Sequence, residues 1–429
     1  MDSRAGNSYS GLMASMTPPH IVILAGGEGK RMRIPGAKAL HPVFFRPMIH
    51  YMLDAAAAIA HRSLSLVVGR DEREFREQCR GYSDLRFFRQ ESPLGTADAL
   101  LAAEPALSEG GDVLILNADT VLLSAQSLRE LLAKHAEAGA ACTVGRAEPD
   151  GEAAAWCFRV ADLFGELKRA GPRGPGQELS LEDAVAALAA EGVAAAEYRI
   201  GDPLETLDVN DFRGLWRVET VLQERFNLDL MLRGVALRDP RTTLIDPRCR
   251  IDADVRIEGG CTVIDSVLER GARVESFCRI LGCEIGPDSA LLQGTIAEQS
   301  RLGRGCRVGP YARLCPGTQL EDGVRVGSFS ELGDAQVGRN AILGAGFIAC
   351  SASGRPLKQK TVIEDGVFVG GACQAIAPVT LGAGSFVATG TSVTEDVPPD
   401  SFVIGRSRQV VKPGYSKRHG KTKSPAAPR

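Results

Sequence analysis

The chain has 429 residues, of which 24% are charged, with a net charge of −3. That length exceeds one compact core and points to two or three domains at roughly 100 to 200 residues each. The near-balanced charge gives no footprint for nucleic acid or an anionic membrane surface, so small molecules are the expected partners.

In chain order, residues 1–18 carry Ser3, Asn7, Ser8, Ser10 and Pro18 and read as a disordered extension without signal-peptide character; Met16 offers an alternative start. Residues 21–24 form an apolar run expected to be a buried strand. It feeds directly into Leu24-Ala-Gly-Gly-Glu-Gly-Lys-Arg-Met32, followed by Lys38. Glycines at the end of a strand leave backbone N–H groups free to face an anion, and Arg31 and Lys38 add fixed positive charge suited to a triphosphate.

Further short apolar strands are expected at 64–68, 85–88, 113–116 and 142–144, alternating with helical stretches at 47–61 and 97–103. Residues 19–211 thus read as an α/β domain of Rossmann-like type. Ligands of open α/β sheets bind at the carboxyl ends of strands, which places the Gly26 loop, residues 90–96 and Asn117-Ala-Asp119 on one rim. Residues 212–238 read as a linking helix, with Leu215, Val218, Leu222, Phe226 and Leu230 at helical spacing.

From 239 to 405 aliphatic residues recur at every sixth position. Leu302, Val308, Leu314, Leu320, Val326 and Leu332 form one run, and Ile363, Val369, Ala375, Leu381, Val387 and Val393 a second. Six is neither a helical nor a simple strand period; it is the repeat of a left-handed parallel β-helix whose inward residues stack coil on coil. Residues 351–360 interrupt the period and are expected to protrude. The basic tail 406–429 has few apolar residues and reads as disordered. No run of about 18 apolar residues predicts a membrane span. Eleven cysteines without a Cys-X-X-Cys pair indicate neither a disulfide framework nor a zinc site and fit a reducing cytoplasm.

In their order, these motifs resemble the bacterial GlmU family, the bifunctional N-acetylglucosamine-1-phosphate uridyltransferase and glucosamine-1-phosphate acetyltransferase. The likeness rests on the glycine loop with Lys38-Ala-Leu-His41, Leu94-Gly-Thr-Ala-Asp-Ala99, Asp208-Val-Asn-Asp211, Leu232-Arg-Gly-Val-Ala-Leu-Arg-Asp239, Val308-Gly-Pro-Tyr-Ala-Arg-Leu-Cys-Pro-Gly317 and Ala377-Pro-Val-Thr-Leu-Gly382. The resemblance implies Arg31 and Lys38 as catalytic cations. It further implies nucleotide contacts at Leu24, Ala25, Gly26, Gly27, Gln90, Gly95, Thr96 and Asn117, and Mg²⁺ ligands at Asp119 and Asn210. UTP and a sugar 1-phosphate would be the substrates, and packing of β-helices would give a homotrimer.

The same resemblance implies acetyl-coenzyme A contacts at Ala345, Lys358, Gly371 and Arg406. The family's catalytic histidine falls on Ser328, however, and the six histidines, His20, His41, His50, His61, His135 and His419, all lie outside 239–405. The family's sugar-gripping loop has no counterpart between 144 and 156, and Cys315 stands at a substrate-phosphate arginine. The expected protein is therefore a divergent nucleotidyltransferase with an acetyltransferase-like domain. A non-catalytic nucleotide-binding or scaffold relative and a histidine-free aminosugar-phosphate acetyltransferase are the alternative readings.

Overall fold

The computed structural model describes residues 17–27, 29, 31–91, 95–149, 151–170, 180–350 and 360–415. The chain divides into two units, Met1–Arg225 and Phe226–Arg429, and the boundary falls inside the long helix Phe212–Leu232. The expectations for residues 1–16, for the protruding segment 351–359 and for the tail beyond 415 lie outside the described residues.

The first unit is built on a seven-stranded sheet. Its elements, in chain order, are β1 (His20–Leu24), α1 (Met48–Ala57), β2 (Ser63–Val68), α2 (Glu72–Gln78), β3 (Leu85–Arg89), α3 (Thr96–Ala102), β4 (Asp112–Asn117), α4 (Ala125–Ala138), β5 (Cys142–Arg146), β6 (Ala153–Arg159), α5 (Val160–Ala170), α6 (Leu181–Ala190) and β7 (Ala195–Arg199). The sheet order is β3-β2-β1-β4-β6-β5-β7. β1, β2, β3 and β4 run parallel, whereas β6 is antiparallel to both β4 and β5. β1 is buried along its whole length because it lies between two strands and under helices on both faces, which is why it reads as an unbroken apolar run. One face packs on α1 and α4 through Met52, Leu53, Leu128 and Leu131, and the other on α3 and α5 through Leu100 and Leu163.

Two helices end differently from the expected spans. The 47–61 stretch is helical only over Met48–Ala57, and 97–103 shifts to Thr96–Ala102 because Gly95, at φ 112°, caps the helix start in a conformation that favours glycine.

The second unit is a left-handed β-helix of three parallel sheets. Sheet I runs from Ala236–Leu237 to Phe402–Val403, sheet II from Leu244–Ile245 to Ser392–Val393, and sheet III from Arg250–Ile251 to Val379–Leu381. Each short strand pairs with one a full coil further along, as Arg273 does with Ala290 and Arg307 with Arg325. The inward residues form one continuous core in which Val308, Leu314, Leu332, Val369, Ala375 and Leu381 are fully buried. At the corners, small hydroxyls satisfy the backbone: Ser289 Oγ donates to Gly303 O at 2.7 Å and accepts from Cys306 N at 2.9 Å. All eleven cysteines are unpaired. Among the described residues no helix is long and apolar enough to cross a membrane.

Candidate active site

β1 and β4 are neighbours, yet the chain leaves β1 toward β2 on one side and reaches β4 on the other. The loops after the two strands part at that reversal and open a crevice. A cavity of about 400 Å³ lies there. Its walls are Leu24 at the end of β1 with Ala25 to Gly27 beyond it, Arg31 and Lys38 from the following loop, Gln90 after β3, Gly95 and Thr96 at the start of α3, Asn117 at the end of β4, Asp119 beyond it, and Asn210. Gly29 of the glycine loop lines it too, as do Met48 and Ala99, to which the sequence assigns no contact.

Close approach explains two glycines. A Cβ on Gly29, at φ +62°, would lie 3.2 Å from Lys38 Cβ, and a Cβ on Gly26 would lie 2.7 Å from Gln90 Oε1. Gln90 itself is fixed: its Nε2 donates to Asp98 Oδ2 at 2.9 Å and to Gly95 O at 3.2 Å, leaving the carbonyl oxygen turned toward Gly26. Thr96 is partly committed elsewhere, since its Oγ1 accepts from Leu181 N at 3.1 Å at the start of α6.

The charged centre is compact. Lys38 Nζ donates to Asp119 Oδ2 at 2.6 Å and to Asn210 Oδ1 at 2.7 Å. Their meeting has a backbone cause: Val209 N donates to Asp119 O at 3.1 Å, which draws the 208–210 segment against the loop after β4. Asn210 Nδ2 donates in turn to Asp208 Oδ2, so both ends of the amide are committed. Burial pushes the Asp208 carboxyl up to about 6, helped by the charges of Asp119 and Glu152 and opposed by Lys38. The sequence had shown Asp208 only as part of a motif, because the groups that perturb it come from distant loops. Two hard oxygens therefore converge on a single cationic atom. No group of three His, Cys, Asp or Glu side chains is arranged for a metal among the described residues.

In the β-helix, Ala345, Gly371 and Arg406 fall along one corner. Ala372 N donates to Ala345 O at 2.7 Å, Gly390 N to Gly371 O at 3.0 Å, and Arg406 Nη1 to Thr389 O at 2.8 Å. Lys358 lies outside the described residues. Cys315 is half-buried with its Sγ 3.8 Å from Glu331 Oε1, and burial pushes its thiol up, away from a reactive thiolate.

A family model described as a MobA-like NTP transferase domain matches residues 21–188. The bifunctional protein GlmU of Pelobacter propionicus is 36% identical over 447 residues, covering 92% of this chain and 97% of that protein. The chain belongs to the GlmU family. The GlmU of Trichlorobacter lovleyi, at 34% identity, and that of Bacillus velezensis, at 33%, each share 92% of this chain and 97% and 98% of their own length. A solved nucleotidyl transferase from Methanothermobacter thermautotroptrophicus aligns with a TM-score of 0.40 at 20% identity, over 49% of this chain and 99% of that one. Membership of the GlmU family together with the matched NTP transferase domain makes this chain a transferase of the sugar-phosphate nucleotidyltransferase kind.

Proposed function

We propose that the protein joins a uridylyl group to a sugar 1-phosphate with Mg²⁺, forming a UDP-sugar and releasing pyrophosphate. The observation that carries this reading is the convergence of Asp119 Oδ2 and Asn210 Oδ1 on one cation inside the glycine-lined cavity. Oxygen donors in that number suit Mg²⁺, which takes one or two protein oxygens and completes its shell with phosphate and water. Bound there, the ion would neutralise phosphate charge as the α-phosphate is attacked.

The chain's own residues do the rest. Ala25 N is spent on Val67 O at 2.8 Å, so the backbone N–H groups of Gly26 and Gly27, with the Arg31 guanidinium, face the triphosphate, and Lys38, once released from Asp119 and Asn210, pairs with it. Gln90 Oε1, held outward by Asp98, accepts the imide N–H of uracil. A sugar phosphate oxygen forms the new bond to the α-phosphorus as the bond to the leaving pyrophosphate breaks. That oxygen is already deprotonated at neutral pH, so positioned charge replaces a general base.

The β-helix is proposed as an assembly domain in which acetyl transfer has lapsed, since 239–405 contains no histidine to take the amine proton. The Ala345, Gly371 and Arg406 corner supports retained acetyl-coenzyme A binding. Outward Ile296 and Ile348 on sheet II, both 37% exposed, support homotrimer packing. Free buried cysteines and a nucleotide substrate favour a cytoplasmic location. The test is pyrophosphate release with Mg²⁺ across a panel of nucleoside triphosphates and sugar 1-phosphates. Turnover with UTP and one sugar phosphate is expected; nucleotide binding without turnover for any pair would favour a non-catalytic relative. Free thiol released from acetyl-coenzyme A with an aminosugar phosphate would overturn the lapse of acetyl transfer.

A further inference from the structure

One outward column of the β-helix differs from the others in charge. In sheet I, parallel pairing sets Arg256 beside Arg273, Arg273 beside Ala290, Ala290 beside Arg307 and Arg307 beside Arg325. Neighbouring strands lie about 4.8 Å apart, so four guanidinium groups stand in file over five rungs, with a gap at the Ala290 methyl. All four arginines are exposed. Arg256 has a loose ion pair with Asp254 at 3.8 Å. Arg273, Arg307 and Arg325 have neither an ion pair nor a side-chain hydrogen bond among the described residues.

The carboxylates at the rim are already engaged. Asp288 pairs with Arg304 at 3.0 Å, Glu258 lies 3.6 Å from Arg238, and Glu275 accepts from Gln293 N at 3.0 Å. These acids and the arginines border an open notch of about 690 Å³ centred on Ala290. Like charges in register repel, so the file attracts a counter-anion between its rungs. The outward columns of the other two sheets mix signs, with Glu284 beside Arg301 in one and Arg313 beside Glu331 in the other.

We propose that the notch between Arg273 and Arg307 binds the phosphate chain of an oligophosphate anion, either inorganic polyphosphate or the tail of a nucleoside triphosphate. Guanidinium forks bind phosphate oxygens in pairs, and the two arginines stand two rungs, about 10 Å, apart across the gap, room for a chain of two or three phosphates. The acidic rim selects a narrow chain, since a wide polyanion such as a nucleic-acid duplex would meet Glu258, Glu275 and Asp288. This site belongs wholly to the second unit and is separate from the glycine-loop cavity.

The test is equilibrium dialysis of inorganic triphosphate against the full chain carrying Lys38→Ala, which weakens the other phosphate site. Adding Arg273→Gln with Arg307→Gln is expected to weaken binding at least tenfold, and Ala290→Glu, whose carboxylate would pair with the flanking arginines and repel the phosphate chain, to do the same. Arg301→Gln on another face should stay within twofold. Equal affinity for inorganic triphosphate and nucleoside triphosphate would identify the phosphate chain alone as the feature read, and tighter nucleoside triphosphate binding would identify a nucleotide as the source; both support the site. Binding unchanged in the paired variant overturns it. So does tighter, arginine-dependent binding of a single-stranded oligonucleotide, or a change in subunit number in the paired variant.

Discussion

Lys38 Nζ stands 2.6 Å from Asp119 Oδ2, joining the loop after β1 to the loop after β4 through one charge pair. The same ammonium reaches Asn210 Oδ1 at 2.7 Å, so three separate loops share one cation. The two oxygens that would hold a divalent ion are thus pre-positioned, and their mutual repulsion with Asp208 is balanced by a side chain that can leave.

Lys38→Ala removes that balance. Without divalent cation the variant should be destabilised by about 1–3 kcal/mol, because a part-buried carboxylate loses its charged partner. Mg²⁺ should restore more stability to the variant than to the parent. Thermal melts with and without 10-fold excess Mg²⁺ over protein, at about equal ionic strength, check this.

Asp208 gives a pH signature. Its carboxyl is pushed up to about 6 by burial and by Asp119 and Glu152, so the folded chain holds this proton more tightly than the unfolded chain. Stability from this group is present at low pH and is lost as pH rises from the ordinary carboxylate value through about 6. In the absence of divalent cation, Asp208→Asn should therefore be more stable than the parent above that pH, by roughly 1 kcal/mol after allowance for partial exposure, and the gain should vanish toward pH 4. Urea titrations across that range measure it.

If Gln90 reads the base as proposed, Asp98 should govern base choice through it. Asp98→Asn offers the amide an alternative partner for its carbonyl end, so Gln90 can turn its Nε2 into the cavity, where it donates to cytosine N3. The ratio of kcat/KM for UTP over CTP should fall by about tenfold, with most of the change in CTP, as one misplaced buried hydrogen bond commands.

The β-helix core should respond by depth. Leu302 is 2% exposed and its strand partner Arg301 points outward. Leu302→Ala should cost about 2–5 kcal/mol and Arg301→Ala no more than about 0.5 kcal/mol, read from denaturant midpoints.

Much of this architecture was legible because it is written in local periodicity. β1, β2 and β4 are buried on both faces and appear as apolar runs, and the six-residue step marks the inward positions of each coil. β6 was missed: it opens Ala-Ala-Ala, which favours a helix, and becomes a strand because it is sandwiched between β4 and β5. β7 was missed for the opposite reason, being a half-exposed edge strand with one aromatic residue. In the cavity, residues marked by glycine or by charge within a motif were visible. Met48, the fixed orientation of Gln90 and the raised Asp208 carboxyl were not, since each depends on contacts between loops far apart in sequence. The arginine file escaped notice likewise, because its members are neighbours only once a coil is known to close after three strands.

The most direct measurement is Mg²⁺-dependent pyrophosphate release by the full chain compared with Asp119→Ala, using UTP and the sugar 1-phosphate that the panel selects. The account predicts release by the parent, loss with chelator, and a fall of about 100-fold or more in kcat/KM for the variant with metal-free nucleotide binding retained. Equal release by parent and variant would contradict it.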